Sequence, residues 1–356
     1  MDRKNASQHS KQAYPESDLA ILADLYHRFL TGLLLALASR AGTARATEVV
    51  FRSFRRQQLQ NFLPGLDKLG LRDLPPAVAC AQYHYLSNAL GGAKVEWIPE
   101  SSRKSWVRYL PPRWIFDGTA PCGIPTELSR AMLWGWHSNN GVLLGNLRLG
   151  FVCTSLATDG GAGAVGYYVE EDQDLPPTER LRFSPGEKPP GPPVALPMAP
   201  WDPSRMAKVK RNYSMEYVRS LLVAMMEVLG PSEAGHIGRI AGRQIGMRFH
   251  DYVCAGLDLA PLPNHAVRSF AELLLRLFSA HGDRCEIVAS KDTAECSVRQ
   301  TGWRFGASLN LPPEGFEARN GLWEGLAAVH GAYAPFSLTV TRRMDLGDAE
   351  YEWRIR

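Results

Sequence analysis

A proline-rich run constrains the fold of this chain more than any other feature. Residues 175–203 read LPPTERLRFSPGEKPPGPPVALPMAPWDP. Because proline fixes φ and lacks the amide hydrogen that helices and sheets use, this run predicts an extended surface connector. We therefore place a linker at residues 175–212, between an N-terminal unit at residues 17–174 and a C-terminal unit at residues 213–356. The polar residues 1–16 are predicted to form a disordered tail.

The segments on either side of the linker show the same order of predicted elements. In the first, helical periodicity over residues 17–41, 47–62 and 76–89 precedes the hairpin KVEWIPE/SWVRYLPP, a helix near residues 125–136 and the closing strands LGFVCTS and GAVGYYVEE. Pro64-Gly65 is expected to end the second helix.

The second segment repeats this order. Its helices lead into a hairpin that turns at Lys291-Asp292, then a helix near residues 317–329 and the closing hairpin FSLTVTRRMDLGDAEYEWRIR. Repetition of whole blocks predicts an internal duplication. The predicted fold class is α+β, with two similar units, each of two or three helices packed on a small antiparallel sheet, joined by the proline-rich linker.

Composition and charge argue against several classes of partner. The chain has 356 residues, enough for two domains, and a net charge of +4. Its densest basic cluster, Arg52 with Arg55 and Arg56, is predicted to be a solvated helix face, so we expect no nucleic-acid partner. The longest apolar run, residues 30–38, is about half a membrane span, so no membrane partner is expected. Six scattered cysteines predict reduced thiols and a cytoplasmic location.

Residues 213–356 resemble the L-2-amino-thiazoline-4-carboxylic acid hydrolase family. The resemblance lies in a helical pair, the hairpin CEIVAS-KD-TAECSVRQTGWRFG, a helix and the closing hairpin. A related vinyl-reductase small-molecule-binding domain closes on a similar hairpin with a Gly-Asp turn. The resemblance implies either metal-free hydrolysis of a small cyclic carbon–nitrogen compound, such as a cyclic amidine or amide, or non-catalytic binding of a small molecule, as in sensors. Family members commonly carry a cysteine in the final strand, where this chain has Tyr351, Glu352 and Trp353.

Three residues are candidates for catalysis. His330 could act as a general acid or base, since the reference pKa of histidine lies near neutrality, or it could form a hydrogen bond at a helix end. His250 and Cys254 lie four apart on a predicted helix and therefore share a face. An imidazole beside a thiol can generate a nucleophile, but a buried cysteine more often acts as a small hydrophobic residue.

Three further residues are candidates for substrate binding. Arg342 and Arg343 alternate on one strand, so only one can point inward. The inward arginine could hold a substrate carboxylate by a bidentate contact, or it could pair across the sheet with Glu350 or Glu352, and we take Arg342 and Glu352 as the candidates. His137 matches His330 in position and is the third candidate.

The sequence has no HExxH motif or other metal-ligand spacing, and its glycine-rich turns do not match a phosphate-binding loop. We therefore predict no metal and no cofactor. The expected partner is a small-molecule substrate or ligand. The two halves predict a pseudo-dimeric monomer or, alternatively, a homodimer.

Overall fold

A computed structural model describes residues 15–111, 120–197, 201–259, 265–289, 295–332 and 334–356. The predicted turn at Lys291-Asp292 and most of the predicted tail lie outside these residues. The helices are α1 (Glu16–Arg40), α2 (Thr43–Leu69), α3 (Pro76–Leu90), α4 (Ala120–Gly123), α5 (Thr126–Trp136), α6 (Asn140–Leu143), α7 (Pro203–Leu229), α8 (Pro231–Gly256), α9 (Ala266–His281) and α10 (Pro313–His330). The strands are β1 (Val95–Pro99), β2 (Lys104–Tyr109), β3 (Leu149–Ser155), β4 (Ala164–Glu170), β5 (Leu181–Phe183), β6 (Arg284–Ala289), β7 (Cys296–Thr301), β8 (Leu338–Arg342) and β9 (Tyr351–Ile355).

Two sheets of matching topology confirm the predicted α+β fold class. The first sheet has the strand order β1-β2-β4-β3-β5 and the second has β6-β7-β9-β8. The first four strands of the first sheet therefore correspond one to one to the four strands of the second, and these strands pair antiparallel in both sheets. Within each unit the second and fourth long helices pack together, α2 on α5 and α8 on α10. The two halves of the chain are thus two helix-plus-sheet units.

The first helix of each unit packs largely on the other unit. Helix α1 contacts α7, α8 and α9, and its buried side chains join the core beneath the second sheet. Helix α7 in turn packs on α1 and α2. Several ion pairs join the two units, among them Arg276 of α9 with the buried Asp18, and Arg45 of α2 with Glu233 of α8. The sequence pattern predicts an apolar face on α1 but not which core that face enters.

Helix α1 is also long and apolar enough to cross a membrane, by length and composition alone. However, 67% of its most apolar window is buried inside the protein. Burial of this extent is typical of the core helix of a folded domain, and as evidence for a membrane span it is weak.

Helix α2 does not end where the sequence predicted. It continues through Pro64 to Leu69 and closes on Gly70, whose φ of 68° is left-handed. Phe62 and Leu66 on either side of the proline are fully buried in the first unit's core. Their burial offsets the cost of an internal proline, which is about 3 kcal/mol. The prediction of a stop at Pro64-Gly65 was therefore wrong.

The proline-rich segment also contains regular structure that the sequence did not predict. Residues 178–184 contain no proline, and within them β5 adds in parallel to β3. Helix α7 begins at Pro203, where the Asp202 carboxylate accepts the Arg205 amide at 2.9 Å. An aspartate cap followed by proline is a helix-start signal. The C-terminal part of the predicted linker is therefore the first turns of α7.

The basic cluster on α2 is not the solvated face that was predicted. Arg55 donates to the backbone oxygens of Gly135 at 2.7 Å and Trp134 at 2.8 Å, which ties α2 to the end of α5. Arg56 pairs with Glu227 of α7 at 2.5 Å. Arg52 does lie on the exposed side, paired with Glu48. Two of the three arginines therefore serve packing between helices.

Candidate functional site

The first unit contains a cavity of about 620 Å³ between its helices and its sheet. Side chains from α2, α3, α5 and α7 line it, with residues of β2, β4 and the segment after β3. Aromatic residues form much of this lining, among them Phe54, Tyr83, Tyr109, Trp136, Tyr213 and Tyr217. None of the lining residues belongs to α8, α9, α10 or the second sheet. The cavity is therefore a feature of the first unit and of the helix α7 that closes it.

His137, predicted to bind substrate, lines this cavity together with His84. The two imidazoles stack with ring centroids 4.2 Å apart. His137 Nδ1 is 2.7 Å from the hydroxyl of Tyr168 in β4, and Asn140 donates to the same hydroxyl at 2.8 Å. These contacts hold the pair at the base of the cavity in one orientation.

Two residues of the lining carry buried N–H groups that have no hydrogen-bond partner among the described residues. They are Nε1 of Trp136 and Nε2 of Gln57. A buried donor without an acceptor costs about 1–3 kcal/mol. The lining also includes Glu216, whose pKa is raised by burial, partly opposed by Arg219. A ligand that presents a hydrogen-bond acceptor would relieve the cost of the unpaired donors.

The three residues predicted to be catalytic meet in the second unit. His250 and Cys254 face α10 from consecutive turns of α8, and His330 is the last residue of α10. His250 Nε2 is 3.0 Å from His330 Nδ1 and 3.4 Å from the sulfur of Cys254. Ser269 of α9 completes the group at 2.7 Å from His330 Nε2. The structure therefore brings together the three catalytic candidates.

Close packing of α8 on α10 brings the two histidines together. A stripe on α8, which we call the glycine stripe, consists of Gly235, Gly238, Gly242 and Gly246 and faces α10. A Cβ on Gly246 would lie 2.3 Å from the carbonyl oxygen of Leu322, so the two backbones touch. Continuing this four-residue spacing along α8 leads to His250 and then Cys254. Since the helix axes are already this close, side chains from both helices can meet.

Burial sets the protonation states of this group. Burial, with a smaller contribution from His250, lowers the pKa of His330 to about 4. Burial, with a smaller contribution from Asp251, raises the pKa of the Cys254 thiol to about 11. At neutral pH both groups are therefore uncharged, which is unlike the thiolate–imidazolium pair of cysteine hydrolases.

Arg342 and Glu352, predicted to bind substrate, lie on the other face of the second sheet. Tyr351 and Trp353 of β9 point into the core, so Glu352 between them points away from the helices. Glu352 bonds to Thr341 at 2.7 Å and to Arg299 at 3.1 Å. Arg342 donates to Glu350. The arrangement matches cross-strand ion pairing, the alternative considered from the sequence.

Arg343, rather than Arg342, is the less exposed member of the arginine pair. It forms ion pairs with Glu317 and Asp345 and lies over the ring of Phe316 at 4.2 Å. These contacts hold the closing hairpin on the N-terminal end of α10. Its role here is structural.

Comparisons with known proteins do not assign the chain to a family. No family model matches the chain, and no curated relative matches it. Among solved structures, it is similar to a trafficking protein particle complex subunit 3 from Naegleria fowleri, covalently bound to palmitic acid. That similarity has a TM-score of 0.27 and 17% identity and covers 39% of this chain and 93% of the other. A TM-score this low carries no argument about fold or function.

Sequence reasoning missed most of the cavity. Tyr213 and Tyr217 face it from α7, although the sequence analysis assigned both residues to the C-terminal unit. His84 had no signal beyond its place on an apolar helix. The glycine stripe, in contrast, is visible in the sequence as glycines three and four residues apart that run into His250.

Proposed function

We propose that this chain binds a small, predominantly apolar molecule in the cavity of its first unit and does not transform it. The observation that carries the proposal is the cavity of about 620 Å³, lined mainly by aromatic and aliphatic side chains with a few polar groups. A volume between about 300 and 1,000 Å³ with such a lining is typical of ligand sites.

The lining suggests the class of ligand. Rings such as Tyr83 and Trp136 favour a flat or aromatic molecule. The unpaired N–H groups of Trp136 and Gln57 favour a molecule with a carbonyl, ether or hydroxyl oxygen. A flat neutral compound with one or two acceptor oxygens fits both features.

Binding has better support than hydrolysis for two reasons. First, His250, Cys254 and His330 do not line the cavity. Second, the pKa of Cys254 is raised to about 11 by burial, which disfavours the nucleophilic thiolate. The cavity thus lacks the three residues that the sequence analysis proposed as catalytic.

Hydrolysis of a small cyclic amidine or amide is the second candidate, because His250, Cys254 and His330 converge within hydrogen-bonding distance. Its test is turnover of 2-amino-thiazoline-4-carboxylate and a panel of cyclic amidines and lactams. Activity that is lost in both His330→Ala and Cys254→Ala would establish hydrolysis. Absence of turnover across the panel would leave binding as the function.

The binding proposal can be tested with N-phenyl-1-naphthylamine, a neutral apolar dye whose fluorescence rises on burial. We expect saturable binding to the whole chain with micromolar affinity, since the dye is much smaller than the cavity. Leu133→Trp places extra volume in the cavity lining and should weaken binding at least tenfold. The control is Leu59→Trp, a change of the same type on the exposed side of α2. Equal binding by both variants and wild type would overturn the proposal.

A cytoplasmic location, the absence of nucleic-acid and membrane partners, and a pseudo-dimeric monomer or homodimer remain predictions. Size-exclusion chromatography with light scattering distinguishes the last two.

A further inference from the structure

The buried group of His250, Cys254 and His330 has the features of a metal-binding site. All three side chains are buried, and their possible ligand atoms lie within 4.8 Å of one another. The rings of Phe270 and Phe336 pack around His330, with centroids 5.3 and 6.1 Å away. An apolar shell of this kind keeps water from competing for the ligands.

Outer hydrogen-bond partners determine which nitrogen of each imidazole carries the proton. His250 Nδ1 is 2.8 Å from a carboxylate oxygen of Asp251, which can only accept. His330 Nε2 is 2.7 Å from the hydroxyl of Ser269, and that hydroxyl donates to the Ala266 carbonyl at 3.2 Å. These contacts favour the tautomer in which each ring carries its N–H on the outer nitrogen.

The inner nitrogens are then both acceptors. In this tautomer arrangement His250 Nε2 and His330 Nδ1, which are 3.0 Å apart, turn their lone pairs toward each other. The Cys254 thiol can donate to His250 Nε2, but this leaves the lone pair of His330 without a donor. A cation bound between the three groups would satisfy all of them.

The spacing fits a tetrahedral ion. With zinc–nitrogen and zinc–sulfur distances of about 2.05 and 2.3 Å, tetrahedral ligands lie about 3.3 Å apart for two nitrogens and about 3.6 Å for nitrogen and sulfur. The observed separations are 3.0 and 3.4 Å. These two separations are within a few tenths of an ångström of the tetrahedral values, and the third pair, His330 Nδ1 and Cys254 Sγ, lies within 4.8 Å and would close on binding.

We propose that His250 Nε2, Cys254 Sγ and His330 Nδ1 bind a divalent transition metal ion, zinc being the preferred class. Two imidazoles and one thiolate form a ligand set that suits zinc. On binding, the thiol loses its proton to solvent, so one proton is released for each ion bound. Asp251 and Ser269 orient the two imidazoles from outside, as partners of metal-bound histidines commonly do.

This site is distinct from the cavity and from the proposed ligand. It also departs from the sequence prediction of no metal. That prediction relied on ligand spacing within short motifs, whereas here the third ligand comes from α10, far along the chain from α8.

Cobalt substitution tests the proposal directly. The whole chain is treated with chelator, dialysed and titrated with Co²⁺, and the absorption spectrum is recorded. We expect a thiolate-to-cobalt charge-transfer band at one equivalent, with the intense visible bands of tetrahedral cobalt. The control is Cys296→Ser, which removes another buried cysteine of the same unit and should retain the spectrum.

Variants of the site decide the outcome. Cys254→Ser should lose the charge-transfer band, and His330→Gln should weaken Co²⁺ binding at least tenfold. Asp251→Asn should weaken Co²⁺ binding about 10- to 100-fold. Because the Asp251 side chain is 83% exposed, this loss would not come from disturbed core packing. Dye binding in the first unit shows that each variant is folded. A wild-type chain that gives no thiolate band, or a band that survives in Cys254→Ser, would overturn the proposal.

Discussion

The two units of this chain share a fold but differ in what occupies the space between helices and sheet. In the first unit that space is a cavity of about 620 Å³ with His84 and His137 at its base. In the second, helix α1 fills the corresponding region, and Leu19, Leu22, Leu25, Tyr26 and Phe29 are fully buried there. The histidine that ends the fourth long helix lines a cavity in one unit and joins a sealed cluster in the other.

Exchange of the first helices explains this difference. Helix α1 brings leucine and phenylalanine side chains to the second unit, and they are buried in its core. Helix α7 presents Asn212, Tyr213 and Tyr217 to the cavity of the first unit, and hydrogen bonds among Tyr213, Tyr217 and Asn88 hold its wall. Two units of the same fold class in one chain can therefore differ, one with a filled core and the other with a cavity.

The largest effect is expected from the glycine stripe. Gly246→Leu places a Cβ 2.3 Å from the Leu322 oxygen and 2.8 Å from the Leu326 nitrogen, which are backbone atoms. Because neither can move without separating α8 from α10, unfolding should become easier by about 3 kcal/mol or more. Chemical denaturation measures this. The neighbouring Met247→Leu, on the exposed side of α8, should change stability by less than about 0.5 kcal/mol.

A smaller loss is expected when the buried contact of the exchanged helix is broken. Arg276→Met leaves the Asp18 carboxylate buried without its guanidinium partner, which donates at 2.9 Å. We expect a cost of about 2–3 kcal/mol in the free energy of unfolding, less than for a fully buried pair because Arg276 is partly exposed. Arg45→Met breaks the exposed pair with Glu233 and should cost less than about 1 kcal/mol. Equal costs would show that Asp18 is not held in the second core.

One substitution type made in both units compares their packing. Leu25→Ala in α1 opens a void in the filled core and should cost about 3–4 kcal/mol. Leu133→Ala in α5 enlarges a cavity that already exists. Its loss of unfolding free energy should be about 1–2 kcal/mol smaller than that of Leu25→Ala. Denaturation curves of both variants provide the comparison. A larger loss of unfolding free energy for Leu133→Ala than for Leu25→Ala would contradict the description of a filled core in the second unit and a cavity in the first.

The smallest expected effect is on the pH dependence of stability, and it comes from His281 in the second unit. Burial, assisted by Arg319 and Arg211, lowers the pKa of His281 well below its usual value. As pH falls through about 6.5, the unfolded chain takes up a proton that folded His281 does not, so stability falls. His281→Gln should reduce this slope by at most about 1.4 kcal/mol per pH unit.

Local patterns were enough to predict the elements and their order. Period-two alternation marked the hairpins of both sheets, and the spacing of His250 and Cys254 placed them on one helix face, 3.4 Å apart in the structure. These features depend on residues that are close together in the sequence, so they can be predicted from one sequence alone.

Features set by distant segments could not be predicted in the same way. The apolar face of α1 does not specify a partner core, and Pro64 lies inside a helix because buried Phe62 and Leu66 outweigh its cost. The cavity depends on where α7 meets the first unit, and that helix was partly assigned to the linker. Each is a tertiary effect that overrides local preference.

The central claim is that the hollow first unit is the ligand site and the second unit is not. Equilibrium dialysis of N-phenyl-1-naphthylamine against wild type, Leu133→Trp and Cys254→Ser tests it directly. We predict about one dye molecule per chain for wild type and Cys254→Ser, and strongly reduced binding for Leu133→Trp. Binding that persists in Leu133→Trp and disappears in Cys254→Ser would place the site in the second unit and contradict the claim.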